Sequence, residues 1–452
     1  VTSPLHREFH DQPYWWETAP LEPAAPAPLP RQVDVAVVGA GYAGLAAATA
    51  LARAGRSVAV LDAEAPGFGA STRSVGMIGG RLRQGHAGLA ATVGPDGALA
   101  LMRETAAAYR WFLDFVAAEG IDCDLRQSGR LIGAWTWRDA ETQKRLADFL
   151  ASKVGIAAHT LPADALADEI ATDLYRGALV LPDDGGLHPA RLHAGLLGLA
   201  RAAGASIFGG TAVHGVTEEG GAMRVGTANG AIAARDVVLA TNAYTGRPFP
   251  WHRRRVIPVG SYMAASEPLP PGTLARLLPR GRLVNDTRRL AYAFRASPDG
   301  SRLLIGGRAS ARDHADARTV ARALHRSACR LFPELAGMRM THAWGGMVAF
   351  TVDRLPNIGS RGRVHHVLGC NGSGVVMNTY LGTRLGRIIG GVDRDQPPTG
   401  FARDGLPTHP LYRGQPWFMS PLSAFYGIRD RLDRLTDRPR RSSAHSVGNH
   451  RP

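Results

Sequence analysis

The residues best placed to do chemistry lie near the start of the chain, where Gly39, Gly41 and Gly44 are spaced G-x-G-x-x-G. That spacing suits a loop that turns tightly, admits a diphosphate against its backbone and lets a helix close on a strand. The flanks agree with it. Residues 33–38 are a short apolar run, 45–54 are strong helix formers, and 57–61 are a second apolar run ending in Asp62. In a strand–turn–helix–strand of this kind, free N–H groups at the helix start face the phosphates of a dinucleotide. The carboxylate then accepts from its ribose hydroxyls.

Two further stretches could serve the same ligand. Residues 66–80, PGFGASTRSVGMIGG, are rich in glycine and small side chains, with Ser71, Thr72, Arg73 and Ser74 at the centre. Such a segment can pass close to a flat ring and offer backbone and hydroxyl hydrogen bonds. Asn371, Gly372, Ser373, Gly374 and Val375 follow an apolar run at 364–369 and open a helix through residue 389. This is a second glycine-rich strand–turn–helix, with more free N–H groups at its start. The run 236–241, DVVLAT, reads as a buried strand ending at Thr241 in ATNAYTG.

The elements that must position these residues follow from pattern. Residues 1–32 read as a lead-in whose Tyr14, Trp15 and Trp16 anchor it to the body ahead of a proline-rich link. Helices are expected at 95–119, at 138–154 with both lysines on its solvated face, at 189–203 opening on proline, and at 314–331. Residues 125–137 read as a hairpin, while 256–265 and 290–307 alternate as antiparallel strands do. Residues 416–435 fold back as a final segment, and the basic stretch 438–452 reads as disordered. The nucleotide domain is then expected from 33–119, 189–255 and 314–391, the substrate domain from 120–188 and 256–313, and 392–452 as an extension.

Composition narrows the class. A chain of 452 residues has ample material for two domains or one large composite. No apolar run reaches the ~18 residues of a spanning helix, and VTSPLHREFHDQPYWW lacks the pattern of a secretory signal. Cys123, Cys329 and Cys370 are unclustered, so neither a metal site nor a disulfide framework is expected, and a cytoplasmic location is. The formal charge is +15, yet only Lys144 and Lys153 are lysines and the arginines are spread along the chain. With no binding motif beside them, the reading is no nucleic acid, no membrane partner and a small-molecule substrate; oligomeric state is left open.

Beyond these patterns, the chain resembles the FAD-dependent amino acid and amine oxidases of the D-amino acid oxidase superfamily. The carrying motifs are VGAGYAGLAAATALARAGRSVAVLDAE, GASTRSVGMIGG, ATNAYTG, WGGMVAFTVDRLPNIG and GCNGSGVVMNTYLG. DTRRLAYAFR, LIGGR, PVGSYMAASEPL and FMSPLSAFYGIRDRL look most like its γ-glutamylputrescine oxidoreductase branch. The resemblance implies an α/β fold, with a Rossmann-type FAD domain interleaved with an antiparallel β-rich substrate domain. It implies an oxidoreductase that takes hydride from the carbon of a C–N bond to flavin N5, giving an imine that hydrolyses.

The same resemblance distributes roles. Gly39, Gly41, Gly44, Asp62 and Glu64 would hold the ADP half, with a backbone amide at Val213 near the adenine. Ser71, Thr72, Arg73 and Ser74 would run beside the pyrophosphate and the ring. Thr241, Gly346 and 371–375 would complete the flavin site. Tyr262, Tyr292, Arg308 and Asn371 are the expected substrate-side residues, with Met77 and Trp344 as walls. Packing is the competing reading for each tyrosine, and a solvated surface for the arginine. Asp353 and Arg354 fall close to the ring, either paired with each other or taking part in the chemistry.

Three departures bear on activity. Where the branch has a G-R-N-G-G-like run, this chain has Thr72-Arg73-Ser74-Val75-Gly76. Gly346 stands where sarcosine oxidase carries its tethering cysteine, so FAD is expected without a covalent link. Neither lysine falls where sarcosine-oxidase-like members place the one that promotes reaction with oxygen. Two alternatives therefore stand beside the oxidase: a dehydrogenase or desaturase with another acceptor, and a flavin-binding partner subunit without turnover of its own.

Overall fold

Two sheets organise the chain in a computed structural model that describes residues 3–24, 27–308, 315–393, 396, 398–403 and 405–437. In the first sheet, Gln32–Val38 lies between the parallel strands Val58–Leu61 and Gly230–Leu239, and Ser206–Phe208 extends the parallel run. Both faces of a parallel sheet are covered, and accordingly Val58–Leu61 is buried at every position. Val364–Leu368 also pairs in parallel with Gly230–Leu239, while Val213–Glu219 and Ala222–Thr227 form the antiparallel edge. Eight strands belong to this sheet among the described residues.

The second sheet is centred on Ile257–Ser266, antiparallel to Met340–Phe350 on one side and Leu303–Gly307 on the other. Tyr292–Ala296, Leu283–Asp286, Arg130–Gly133, Gly177–Leu181 and His159–Pro162 continue it outward. Its two faces meet different partners. One buries Phe294, Ile305 and Ala343 under the helix Ala317–Leu331. The other carries Met263, Ala265, Leu304 and Trp344 against Tyr14 and Trp15.

The helices Tyr42–Arg53 and Gly374–Gly390 cross at very short range. A Cβ on Gly382 would run into the carbonyl oxygen of Ala43, one on Gly386 would lie 2.6 Å from that of Ala47, and one on Gly390 2.7 Å from Cβ of Ala54. Glycine at every fourth position clears one stripe of the second helix so that its backbone rests on the first. The approach sets the first turn of the first helix, at Ala43, beside Gly382 of the second.

Several expectations are corrected. Residues 1–32 are more than a lead-in, because Leu5–His10 pairs in parallel with Met340–Phe350 and forms an edge of the second sheet. The hairpin at 125–137 does not form. Its one strand, Arg130–Gly133, pairs with Leu283–Asp286 and Gly177–Leu181, partners that local pattern cannot name. Residues 314–391 do not all belong with the nucleotide sheet, since Met340–Phe350 and Ala317–Leu331 build the second one. The helix expected at 95–119 forms over residues 95–118, and a shorter helical stretch from His86 precedes it, separated by Gly94 at φ +76°. The later helix starts at Ala317, where Asp316 accepts from Thr319 N–H at 2.9 Å; His314 lies outside the described residues.

The final segment folds back as Met419–Leu435, and the stretch 438–452 lies outside the described residues. Among the described residues no helix is long and apolar enough to cross a membrane.

Candidate functional site

The first turn is built as its spacing requires. Gly39 has φ +106° and donates to the carbonyl of Leu61 at 2.8 Å, and a Cβ there would press on the backbone of Ala240. A Cβ on Gly41 would lie 2.9 Å from Ser71 Oγ, and one on Gly44 would collide with the carbonyl of Gly39. Asp62 reaches the turn from the next strand, accepting from Ala40 N–H at 2.7 Å and from Glu64 N–H at 3.1 Å. Burial raises its pKa while those two donors pull it the other way. Glu64 is exposed, and its carbonyl accepts from Gly210 N–H at 3.0 Å. Val213 opens the edge strand opposite Thr227.

Ser71 Oγ accepts from Tyr42 N–H at 3.1 Å, which places a hydroxyl at the first turn of the helix. Thr72 is fully buried, donating to the Gly67 carbonyl at 2.7 Å and accepting from the Trp16 indole at 3.0 Å. The Arg73 guanidinium lies 4.8 Å from the ring of Trp16 and 4.6 Å from that of Phe68. It donates to the carbonyls of Phe68 at 2.7 Å and Gly345 at 3.1 Å, and burial lowers its pKa.

The next carbonyls are held one after another. Trp344 Nε1 donates to Arg73 O at 2.9 Å, Trp15 Nε1 to Ser74 O at 2.9 Å, Arg295 Nη1 to Val75 O at 3.4 Å, and Leu187 N–H to Gly76 O at 2.9 Å. Ser74 Oγ accepts from Gly76 N–H at 3.4 Å. Met77 then pairs with Gly186 in a short two-stranded ladder. Trp344 is buried among Trp15, Met263 and Leu304, so its ring supports the loop from below.

At the second turn Asn371 takes φ +49° and Gly372 φ +95°. The Asn371 side chain is spent on the backbone: Oδ1 accepts from Thr351 N–H at 3.2 Å and Nδ2 donates to the carbonyl of Gly369. Ser373 precedes the helix Gly374–Gly390, and its hydroxyl donates to the Arg81 carbonyl at 3.4 Å; Val375 is buried in the first turn. The strand end at Thr241 meets this turn. Thr241 O accepts from Tyr244 N–H at 2.8 Å, and Asn242 Oδ1 accepts from Gly369 N–H at 2.9 Å. Gly346 lies opposite Ser261 in the sheet, where a Cβ would stand 3.3 Å from Cβ of Arg73.

The expected substrate-side residues divide from this group. Tyr262 and Tyr292 both lie opposite Gly307 in one row across the sheet. Tyr262 is buried with the helix Ala317–Leu331, on the face opposite Trp344, and its hydroxyl accepts from Ala315 N–H at 3.2 Å. Tyr292 packs against the same cluster with the Arg288 guanidinium 4.5 Å from its ring. Arg308 donates to Ser423 Oγ at 2.6 Å and to the Gly260 carbonyl at 3.1 Å. Asp353 pairs with Arg403 at 2.8 Å, and Arg354 takes φ +57° beside it.

Arg295, Asn242 and Tyr244 were missed as site residues. Arg295 is buried, with burial lowering its pKa to about 10, and also donates to the Leu187 carbonyl at 3.0 Å. A charged residue inside the otherwise alternating run YAFRA was its signal. The Tyr244 hydroxyl accepts from Met347 N–H at 3.3 Å while its ring lies over Gly69.

Comparison with known proteins agrees with this geometry. Residues 34–387 match the family model described as FAD dependent oxidoreductase. The chain is 31% identical over 375 residues to a probable oxidoreductase, OrdL, of Rhizobium meliloti (strain 1021), covering 81% of this chain and 86% of that protein. It is also 31% identical over 412 residues to γ-glutamylputrescine oxidoreductase of Escherichia coli (strain K12), covering 88% and 93%. The crystal structure of glycine oxidase from Geobacillus kaustophilus superposes with a TM-score of 0.68 at 24% identity, over 84% of this chain and all of that one. The residues present fit FAD. A glycine turn without room for side chains, an oriented carboxylate and a helix opening directly from that turn are what its two phosphates and ribose require. The chain belongs to the D-amino acid oxidase family of FAD-dependent oxidoreductases.

Proposed function

We propose that this protein oxidises the C–N bond of a small amine or amino acid, releasing an imine that water hydrolyses to a carbonyl compound. FAD, when bound, supplies the hydride acceptor. The observation that carries this reading is the pair of glycine-rich turns that open Tyr42–Arg53 and Gly374–Gly390, helices whose backbones touch where Ala43 meets Gly382. In this reading, Gly39, Gly41, Gly44 and Asp62 hold the adenosine end, and Ser71 offers its hydroxyl to the diphosphate. The 71–76 loop would hold the ring, and the start of Gly374–Gly390 would supply positive potential that favours the reduced form. Gly346 leaves no thiol to bond the ring, which supports cofactor binding without a covalent link.

The protein's own task at the substrate is orientation and selection of the neutral amine. Arg308 is the proposed partner of a substrate carboxylate, exchanging its bond to Ser423 for a bidentate one. Tyr262 and Tyr292 shape the sheet beneath it from the helix-covered side, Asn371 fixes the turn at the ring, and Met77 borders the substrate.

The test is anaerobic. The yellow protein is mixed with γ-glutamyl amines, N-methylglycine and D-amino acids, and the oxidised flavin band is followed. Bleaching by one class supports amine oxidation and names the substrate type; a flavin that none of them reduces overturns it. A second reading, a dehydrogenase, draws on the lysines: Lys144 is exposed and paired with Glu141 at 2.7 Å, and Lys153 is also exposed. Slow return of colour on admitting air favours that reading, and rapid return excludes it.

A further inference from the structure

The helix Met419–Leu435 divides its residues by chemistry. Its inner side is polar and engaged. Asp430 and Asp433 both bind Arg289, at 2.9 and 2.6 Å, and Ser423 accepts from Arg308. Its outer side is apolar, with Phe425 54%, Ile428 56%, Leu432 49% and Leu435 81% exposed. At 3.6 residues per turn these four fall within an arc of about 80°.

Arg429 and Arg431 are exposed and flank the arc, one on each edge. Asp430 is turned to the protein and Asp433 is shared between Arg289 and Arg429, at 2.6 and 3.9 Å, while the outer surface offers leucine, isoleucine and phenylalanine between arginines. A helix facing water ordinarily shows polar groups there. The sequence beyond it adds Arg438, Arg440, Arg441 and Arg451 against the single acid Asp437, which pairs with Arg176 at 3.2 Å.

We propose that this helix docks the protein on an anionic lipid surface, its apolar arc in the acyl boundary and its arginines among the phosphates. Apolar area and positive charge on one helix face are the two attractions such a surface rewards together. A second copy fits less well, since a twofold contact through this arc would set Arg429 and Arg431 against the same residues of the partner. The proposal departs from the expectation of no membrane partner, and attachment of this kind needs no spanning helix. The inference goes beyond the proposed reaction and does not depend on it.

The test is flotation of the full-length, FAD-loaded protein with vesicles of phosphatidylcholine alone or with phosphatidylglycerol added. The wild type is expected to float with the anionic vesicles at low salt and to stay below with the neutral ones. Ile428→Ser with Leu432→Ser is expected to weaken flotation about tenfold or more while flavin content is unchanged. Leu435→Ser, at the most exposed position, gives the same direction should the double variant lose flavin. Equal flotation of wild type and serine variants overturns the proposal, because net charge alone then explains binding. Absence of flotation also overturns it, whether the protein is then monomeric, self-associates through the arc or binds an acidic protein instead.

Discussion

The indole N–H of Trp344 donates to the carbonyl of Arg73 at 2.9 Å across 271 residues of sequence, tying the second sheet to the loop of the proposed flavin site. Trp15 and Arg295 take the next two carbonyls, so three different segments grip one stretch by its backbone. The carbonyls of Ser74 and Val75 are thus fixed from outside the loop, while Thr72 and Arg73 add side-chain bonds of their own.

Trp344→Phe tests the grip. Phenylalanine keeps most of the buried ring volume and removes the donor, which leaves the Arg73 carbonyl without its partner at a cost of about 1–3 kcal/mol. The expected result is a folded protein with a melting temperature lower by a few degrees and FAD affinity about tenfold weaker, read by titrating apoprotein with FAD. Trp417→Phe, at a ring 68% exposed beside Phe418, serves as the control and leaves FAD affinity unchanged. Equal affinity in both variants would show that the carbonyl grip does not set the site.

The helix crossing makes a sharper prediction, with its own control in the same fold. Gly382→Ala drives a methyl into the Ala43 carbonyl, and overpacking of this kind costs about 1–3 kcal/mol. Gly198→Ala, at a helical position with nothing within 4 Å of the added carbon, gains about 0.5–1 kcal/mol from helix propensity. Chemical denaturation of the two apoproteins should therefore give shifts of opposite sign. Gly382→Ala should also weaken FAD binding, because parting the helices moves one helix start away from the other.

How much of this was legible depended on whether a signal was local. The turn at Gly39–Gly44, the second turn at Asn371–Gly374 and the helix opening at Pro189 all announce themselves within a few residues, and each stands where the sequence puts it. Strand partners are another matter. The pattern of Arg130–Gly133 describes a strand as well as any, but nothing in it names Leu283–Asp286 as a neighbour. The glycines at 382, 386 and 390 read as ordinary helix residues until the opposing helix is in place. Tyr262 illustrates the remaining difficulty: alternation shows that it shares a face with Ala264, not which face meets the cofactor.

Asp62→Asn should separate stability from cofactor binding. Burial raises the Asp62 pKa, so between its unfolded and folded values the native apoprotein holds a proton that the unfolded chain has released. The carboxylate thus costs stability above its folded pKa, and the cost is relieved as pH falls through that value. Asparagine removes the titration, though its amide NH2 then faces one of the two backbone donors, so the urea stability of the apoprotein should lose this pH dependence. The substitution should also weaken FAD about tenfold or more, because hydrogen bonds to a charged acceptor are the stronger kind. The affinity of the wild type should fall on acidification below the raised pKa, and that of the variant should not.

His366 sets an acid limit to stability. Its Nε2 hydrogen-bonds to Asn357 Oδ1 at 2.8 Å, while Nδ1 is buried without a partner. Burial, with repulsion from His252 and His365, lowers its pKa to about 3; Arg361 and Arg255 lie around the same group of rings. Below about pH 6.5 the unfolded chain binds a proton that the native protein refuses, so this contribution is whole above that pH and is lost progressively as pH falls toward 3. Between pH 7 and pH 5 the loss is about 2 kcal/mol from this one ring. His366→Gln keeps a donor toward Asn357 and cannot titrate. In urea unfolding at the two pH values, the variant should lose about 2 kcal/mol less than the wild type, whatever its absolute stability. An unchanged difference would mean that the ring already accepts its proton in the native state near pH 5, and that the pocket around His366, His252 and Trp251 opens to water before the fold does.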